Sequence, residues 1–547
     1  MSHPRTLLNG ESENISVECM AVQSIQMIAH AVITSENQTC GNAMHYILTD
    51  ETREIDGHIL HRIKYTETFA RTQKGTYGGF VESERNCIED GWIADEACVY
   101  GCAVVSGTAR VLQHAMVFGC AKINGDATIC GNGRVYGMAN VGDNAKVSGC
   151  ASIYDNACVS ESAAIKDKAR VYGNAEIYGS ATIEDTACVC GRANIFENAI
   201  IGGEASIDGH HGKNPSVLCV YGDAHIYGNA KVYGYVRVRD CADVSGTTTI
   251  CDYSIIMDNA KVHGNAVIKG HSVICDDSDV LGNALIFDTA QICGYARVYG
   301  YARVYGNARI EGSATINGMT DIHGNAHVFG KSHITGDGCN IYGNASIGGK
   351  SNIIGRVRIY DDVTINGDVG ISGDTQRIII RDEDVCGISI CDHVTIRDEA
   401  QLQGHVRISG SASICDQSKI YGNAHIADCA VVSGAAMVHG NAVVSGNTLI
   451  SGSSSVSGDA TIENDSSILG SSSVFDWAHV RENAMVYGNA KVFEGAIVCG
   501  SASIYEDAQV YGDAEISGTS SVYGSAKVHG RTKIGFGAKI SGDSDIG

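Results

Sequence analysis

ARVYGN AEIYGS ATIEDT ACVCGR ANIFEN, residues 169–198, is one six-residue unit written five times. The unit is A-x-[IV]-x-G-N. Its aliphatic position falls at Val171, Ile177, Ile183, Val189 and Ile195, and an Ala precedes each by two residues. Residues two apart on a strand point to the same face, so Ala and Ile/Val face inward together and the intervening residues face out. Gly and Asn tolerate φ > 0 where a β-branched residue would not, which makes the pair a corner. A short strand and a corner, repeated, predict a solenoid.

Working outward, the aliphatic phase holds from Val99 to Ile207, Val220 to Ile334, Ile341 to Ile371 and Ile390 to Ile546, about 72 hexads. The outward residue after the aliphatic one sets the number of hexads per coil. Tyr100, Phe118, Tyr136, Tyr154 and Tyr172 recur every 18 residues, as do Tyr487, Tyr505 and Tyr523, and Phe475, Phe493 and Tyr511. Three hexads per coil would stack these rings in columns, whereas four would scatter them. The expectation is an all-β, single-stranded parallel β-helix of about 24 three-sided coils. At roughly 4.8 Å per stacked strand its length would be about 115 Å.

Composition agrees with a continuous sheet. Gly is 67 and Pro only 2 of 547 residues, and Pro would remove a ladder hydrogen bond. The net charge is −23 and the pI about 5.2. With no basic stripe, nucleic acid is not an expected partner. No 18-residue apolar run predicts a membrane span. The start shows no secretory leader, and the 22 Cys form no CxxC pair. The expected setting is therefore a reducing cytoplasm with free thiols, and neither a metal nor another cofactor is expected. Cys102 and Cys120, 18 apart at equivalent corners, would lie close enough to bridge under oxidising conditions.

The hexad resembles the hexapeptide-repeat family, and that resemblance implies a left-handed β-helix. Three stretches break the phase: near 208–219, where the step from Ile207 to Val220 is 13 residues, one too many; near 335–340, where the step is 7; and the irregular 372–389. They would divide the solenoid into four segments, with the extra residues as bulges, loops or kinks at corners.

Residues 1–42 form a polar extension. Residues 43–91 read as a small β-rich cap, with a hairpin turn at Asp56-Gly57, and 92–547 as the solenoid. Leu60, Arg62, Ile63, Gly78, Gly79, Phe80, Val81, Glu82, Ser83, Glu84 and Trp92 carry a second resemblance, to the YdcK-like proteins of enterobacteria and their prophages. Members of that group are often labelled putative transferases on fold alone, and fold does not imply function. At the other end the hexads run to Gly547 with no cap, and Lys533, Lys539, Asp543 and Asp545 would guard the last edge, or a partner would stack there.

A hexapeptide acyltransferase would use a histidine as general base. His263, His323, His439 and His529 occupy the outward position that Tyr, Ser, Cys and Phe also fill, so they read as interchangeable surface residues. His210, His211 and Lys213, in the first break, are the weak catalytic candidates. The aromatic columns are the candidate binding faces, for a protein, a glycan or a second copy of the chain in end-to-end or lateral contact; the plainer alternative is that they only stabilise the coil. The expected function is a non-catalytic scaffold or binding protein with flat, aromatic-lined faces. The alternatives are an acyl-CoA-dependent acyltransferase on a sugar or amine, and a prophage-encoded effector secreted or delivered from a bacterium.

Overall fold

A computed structural model describes residues 45–68, 72–209, 217–373 and 388–547. It is an all-β parallel solenoid of about 25 turns, entered through an antiparallel cap. The polar extension lies outside the described residues.

The cap is β1 (Tyr46–Ile55), β2 (His58–Tyr65) and β3 (Tyr77–Val81). β1 and β2 pair antiparallel through the expected turn, where Asp56 and Gly57 both take positive φ. β3 pairs antiparallel with β2 on one side and parallel with Cys98–Val99 on the other. It is thus the strand at which a hairpin becomes a helix. The parallel ladder continues as Cys87 bridging to Val105 and Ile93 pairing with Val111. The hexad phase therefore begins at Val81. This first turn is disguised in the sequence because Gly79 stands where later coils have Ala: a Cβ there would lie 2.5 Å from the Ala97 carbonyl oxygen.

From there each coil repeats one plan. Inward Ala and Ile/Val residues are fully buried up to Val528 and form one continuous core, against which Ile534 and Ile540 of the last coil pack partly buried. Strands pair in register 18 residues apart, as in Val171 with Val189 and Ile177 with Ile195. Corner amides extend the ladder: the Asn174 N–H donates to the Gly191 carbonyl at 2.8 Å. At many corners Asp or Glu replaces Gly and still takes positive φ, as at Asp143, Asp155 and Glu161. Such a carboxylate accepts the amide of the residue 18 further on. Gly173 donates to Asp155 at 3.2 Å and Gly179 to Glu161 at 2.9 Å. Much of the acidic charge thus ties coils together at their corners. Asn side chains do the same one position later, Asn423 donating to Asn441 at 2.8 Å.

The small inward position also accepts hydroxyls. Ser254, Ser272, Ser332, Ser351 and Thr320 are completely buried there. An unpaired buried hydroxyl would be costly, and at these five residues the corner offers the carbonyl three residues back, whereas Thr248, Ser418, Thr448 and Ser520 keep buried hydroxyls without a partner. Ser272 donates to Lys269 at 2.7 Å, Ser351 to Gly348 at 2.6 Å and Thr320 to Asn317 at 2.6 Å.

The strand ladders run through all three phase breaks. Ile195 pairs with Val220 and Ile207 with Val232, so Ile207 and Val220 belong to consecutive hexads. The first break is therefore a seven-residue insertion between two hexads rather than two hexads plus one residue. The second is a one-residue bulge in His333–Ile341 opposite Met319–Asp321, with Gly338 at φ +105°. The third extends the step from Ile359 to Ile390, and the ladder resumes at once with Ile365 opposite Ile396. Pairing on both sides of each insertion keeps the ladder intact.

Candidate functional site

The outward aromatics form the stacks that the 18-residue spacing predicts. Ring centroids of Tyr100, Phe118, Tyr136, Tyr154 and Tyr172 follow one another at 5.1, 4.8, 4.9 and 4.8 Å, with planes within 5° of parallel. Phe475, Phe493 and Tyr511 stack at 4.9 Å and continue to His529. Tyr487, Tyr505 and Tyr523 also stack at 4.9 Å. The strand spacing sets these distances, and strand register sets the parallel planes.

Each ring lies between its neighbours, so its faces are covered and its edge points out. Tyr100 is buried because the cap folds over it. His58 lies against its ring at 5.2 Å, and its hydroxyl donates to Asp56 at 2.9 Å. The other ten column residues anticipated from the sequence are half-buried. The columns offer ring edges and hydroxyls rather than open ring faces.

Further columns cross the phase breaks. Tyr178, Phe196 and Tyr221 stack, although 25 residues separate the last two. Phe287, Tyr305, His323, Tyr342 and Tyr360 form a five-ring column. A fixed 18-residue count loses each column only at its insertion, between Phe196 and Tyr221 and between His323 and Tyr342, because insertions shift the count while the register persists.

Several outward histidines are column members or inter-coil partners. His323 and His439 stack on tyrosines. His263 pairs with Asp279 at 2.8 Å, His479 with Glu463 at 3.0 Å, His529 with Asp545 at 2.7 Å and His327 with Glu311 at 3.2 Å. The His327 hydrogen bond, with the nearby Arg309, holds the Glu311 carboxyl below its ordinary pKa. His210, His211 and Lys213 lie outside the described residues. A shallow, open cavity of about 330 Å³ occurs between Thr364–Gly367 and Thr395–Asp398, and Arg397 is the only cation on its lining.

The residues that resemble YdcK-like proteins gather where cap meets coil. The Arg62 guanidinium sits 5.2 Å from the centre of the Phe80 ring. The Glu82 carboxylate accepts the Gly101 amide at 2.7 Å and lies 2.9 Å from His58. These contacts fasten the hairpin to the first coils.

Thiols bring together groups that the sequence does not flag as ligands. Cys102 and Cys120 are exposed free thiols at successive corners. Cys275, Asp276 and Cys293 place two sulfurs and a carboxylate oxygen within 4.8 Å of one another, and Asp398, Cys415 and Asp416 form a second such group. The 18-residue interval from Cys275 to Cys293 was the available signal; a search for closely spaced CxxC pairs cannot see it.

The family described as the YdcK beta solenoid repeat matches residues 302–318, the hexads of Val304, Ile310 and Ile316. No curated protein matches the chain. The chain is a β-solenoid repeat protein.

Proposed function

We propose that this protein is a non-catalytic scaffold whose long flat faces and aromatic corners serve self-association or partner docking. The observation that carries this reading is the column geometry. Ring edges and tyrosine hydroxyls line one corner over several consecutive coils, giving a repeated amphipathic strip that suits an equally periodic partner. A second copy of the chain has that period. The engagement of His263, His323, His439 and His529 by neighbouring coils fits the same reading. The resemblance to hexapeptide repeats and to prophage proteins is compatible with such a role in the cytoplasm of a bacterium, or after delivery from one.

Sedimentation velocity across a concentration series tests the reading. Assembly that weakens in Tyr487→Ser/Tyr505→Ser, with circular dichroism unchanged, is the expected result. A monodisperse monomer at every concentration, joined by no retention on immobilised glycans or on the protein itself, would overturn it.

A further inference from the structure

The outward position after the aliphatic residue holds a run of sulfur in one stretch of the solenoid. Val238, Ile256, Ile274, Ile292 and Ile310 pair in register, so the residues that follow them, Arg239, Met257, Cys275, Cys293 and Glu311, form one column. The Met257 sulfur accepts from Arg239 at 2.9 Å and is engaged there. Among the described residues no cationic side chain donates to the two thiols beneath it. Cys275 is 8% exposed and Cys293 half-buried. Asp276, at the adjoining corner, turns its carboxylate toward the next coil and is fixed there by the Gly294 amide at 2.8 Å. The Asp276 amide in turn donates to Asp258 at 3.1 Å. Two sulfurs and one anchored carboxylate oxygen thus converge within 4.8 Å.

That upper bound is close to the reach of one ion. Two metal–sulfur bonds of about 2.3 Å reach up to roughly 4.6 Å between sulfurs, and less in tetrahedral geometry. Thiolates select soft or borderline d10 ions, and a carboxylate completes a common ligand set for zinc-class cations. We propose that Cys275, Cys293 and Asp276 bind a thiophilic divalent cation of the zinc–cadmium class, with its fourth position open to solvent. The hydrogen bond with the neighbouring Cys293 thiol, and burial, push the Cys275 thiol up. Binding then replaces two S–H protons with two metal–sulfur bonds and releases both protons to water. The group at Asp398, Cys415 and Asp416 has one thiol, and the Cys102–Cys120 corner has no carboxylate in its set; neither offers this combination.

Titration of the full-length, reduced and chelator-washed chain with Cd2+ against a competing chelator tests the site. The thiolate-to-cadmium charge-transfer absorption counts sulfur-bound ions. One tight equivalent should disappear in Cys275→Ser and equally in Cys293→Ser, and survive in Cys102→Ser/Cys120→Ser. Asp276→Asn should weaken it by at least the roughly tenfold that loss of an outer-shell partner costs. These outward substitutions leave the core intact, and circular dichroism verifies that. Loss of the equivalent in only one of the two cysteine variants, or wild-type stoichiometry in both, overturns the proposal.

Discussion

Replacing Tyr154 with alanine should loosen the solenoid locally, and by about twice as much as the same change at Tyr172. Tyr154 has a ring on each side, Tyr136 at 4.9 Å and Tyr172 at 4.8 Å. Tyr172 has Tyr154 on one side and Cys190 in the next coil on the other. An aromatic stack contributes about 0.5–1.5 kcal/mol beyond its area, so Tyr154→Ala forfeits about 1–3 kcal/mol and Tyr172→Ala about half. Both side chains are outward and half-buried, so neither change opens a cavity beside the buried Ile153 or Val171. Coils contact only their neighbours, so the effect should stay within one or two coils. Hydrogen exchange reads it directly. The Tyr136 amide donates to Ile153 and the Tyr154 amide to Val171, both at 3.0 Å, and their opening should speed up roughly 5- to 150-fold for 1–3 kcal/mol. Equal acceleration in the two variants, or none in either, would refute the view that ring stacking holds the columns together.

Ile286→Ala, at a fully buried inward position, should cost about 2–5 kcal/mol, read as early proteolysis near residue 286 with both ends of the chain still protected. Gly246→Ala should lower the thermal midpoint although the residue is at a surface corner. Its φ is +76° and an added Cβ would lie 2.5 Å from the Gly264 carbonyl oxygen, so left-handed strain of about 1–2 kcal/mol adds to a clash with backbone. The folded pKa of Glu311 is depressed, so its stabilisation is complete above the unfolded value of about 4.3 and is lost as pH falls through the folded value. Exchange protection around Glu311 should therefore decline in acid, and Glu311→Gln should remove that part of the pH dependence.

The hexad was legible because every coil imposes the same steric demand: one large and one small inward residue, then a corner that tolerates positive φ. The aromatics added the second period, since rings outside the core recur only where coils stack. What escaped was any feature defined by register rather than by counting. A 13-residue step divides equally well as twelve plus one or six plus seven, and only the pairing of Ile207 with Val232 decides. The Phe196–Tyr221 stack and the first turn at Val81 were hidden for related reasons, an insertion in one case and Gly79 in place of Ala in the other. Ser272 and Thr320 look like defects in an Ala position until the carbonyl three residues back is seen to accept their hydroxyls. The Cys275–Cys293 pair is invisible to a motif read along the chain, because its two thiols meet only across adjacent coils.

Because almost all pairing joins residues about 18 apart, the relative contact order of this 547-residue chain is only about 0.03, below the range of small helical bundles. A parallel sheet is ordinarily slow to form, since distant segments must meet before any bond rewards them. Here each new coil needs only the one before it. The antiparallel cap precedes the coils in sequence and is itself local, so it provides the first template. At roughly 5–20 residues per second of synthesis, a coil's worth of chain appears every 1–4 s or so. Each coil can then close on a finished edge as it emerges, and the growing edge never waits for the distant end of the chain.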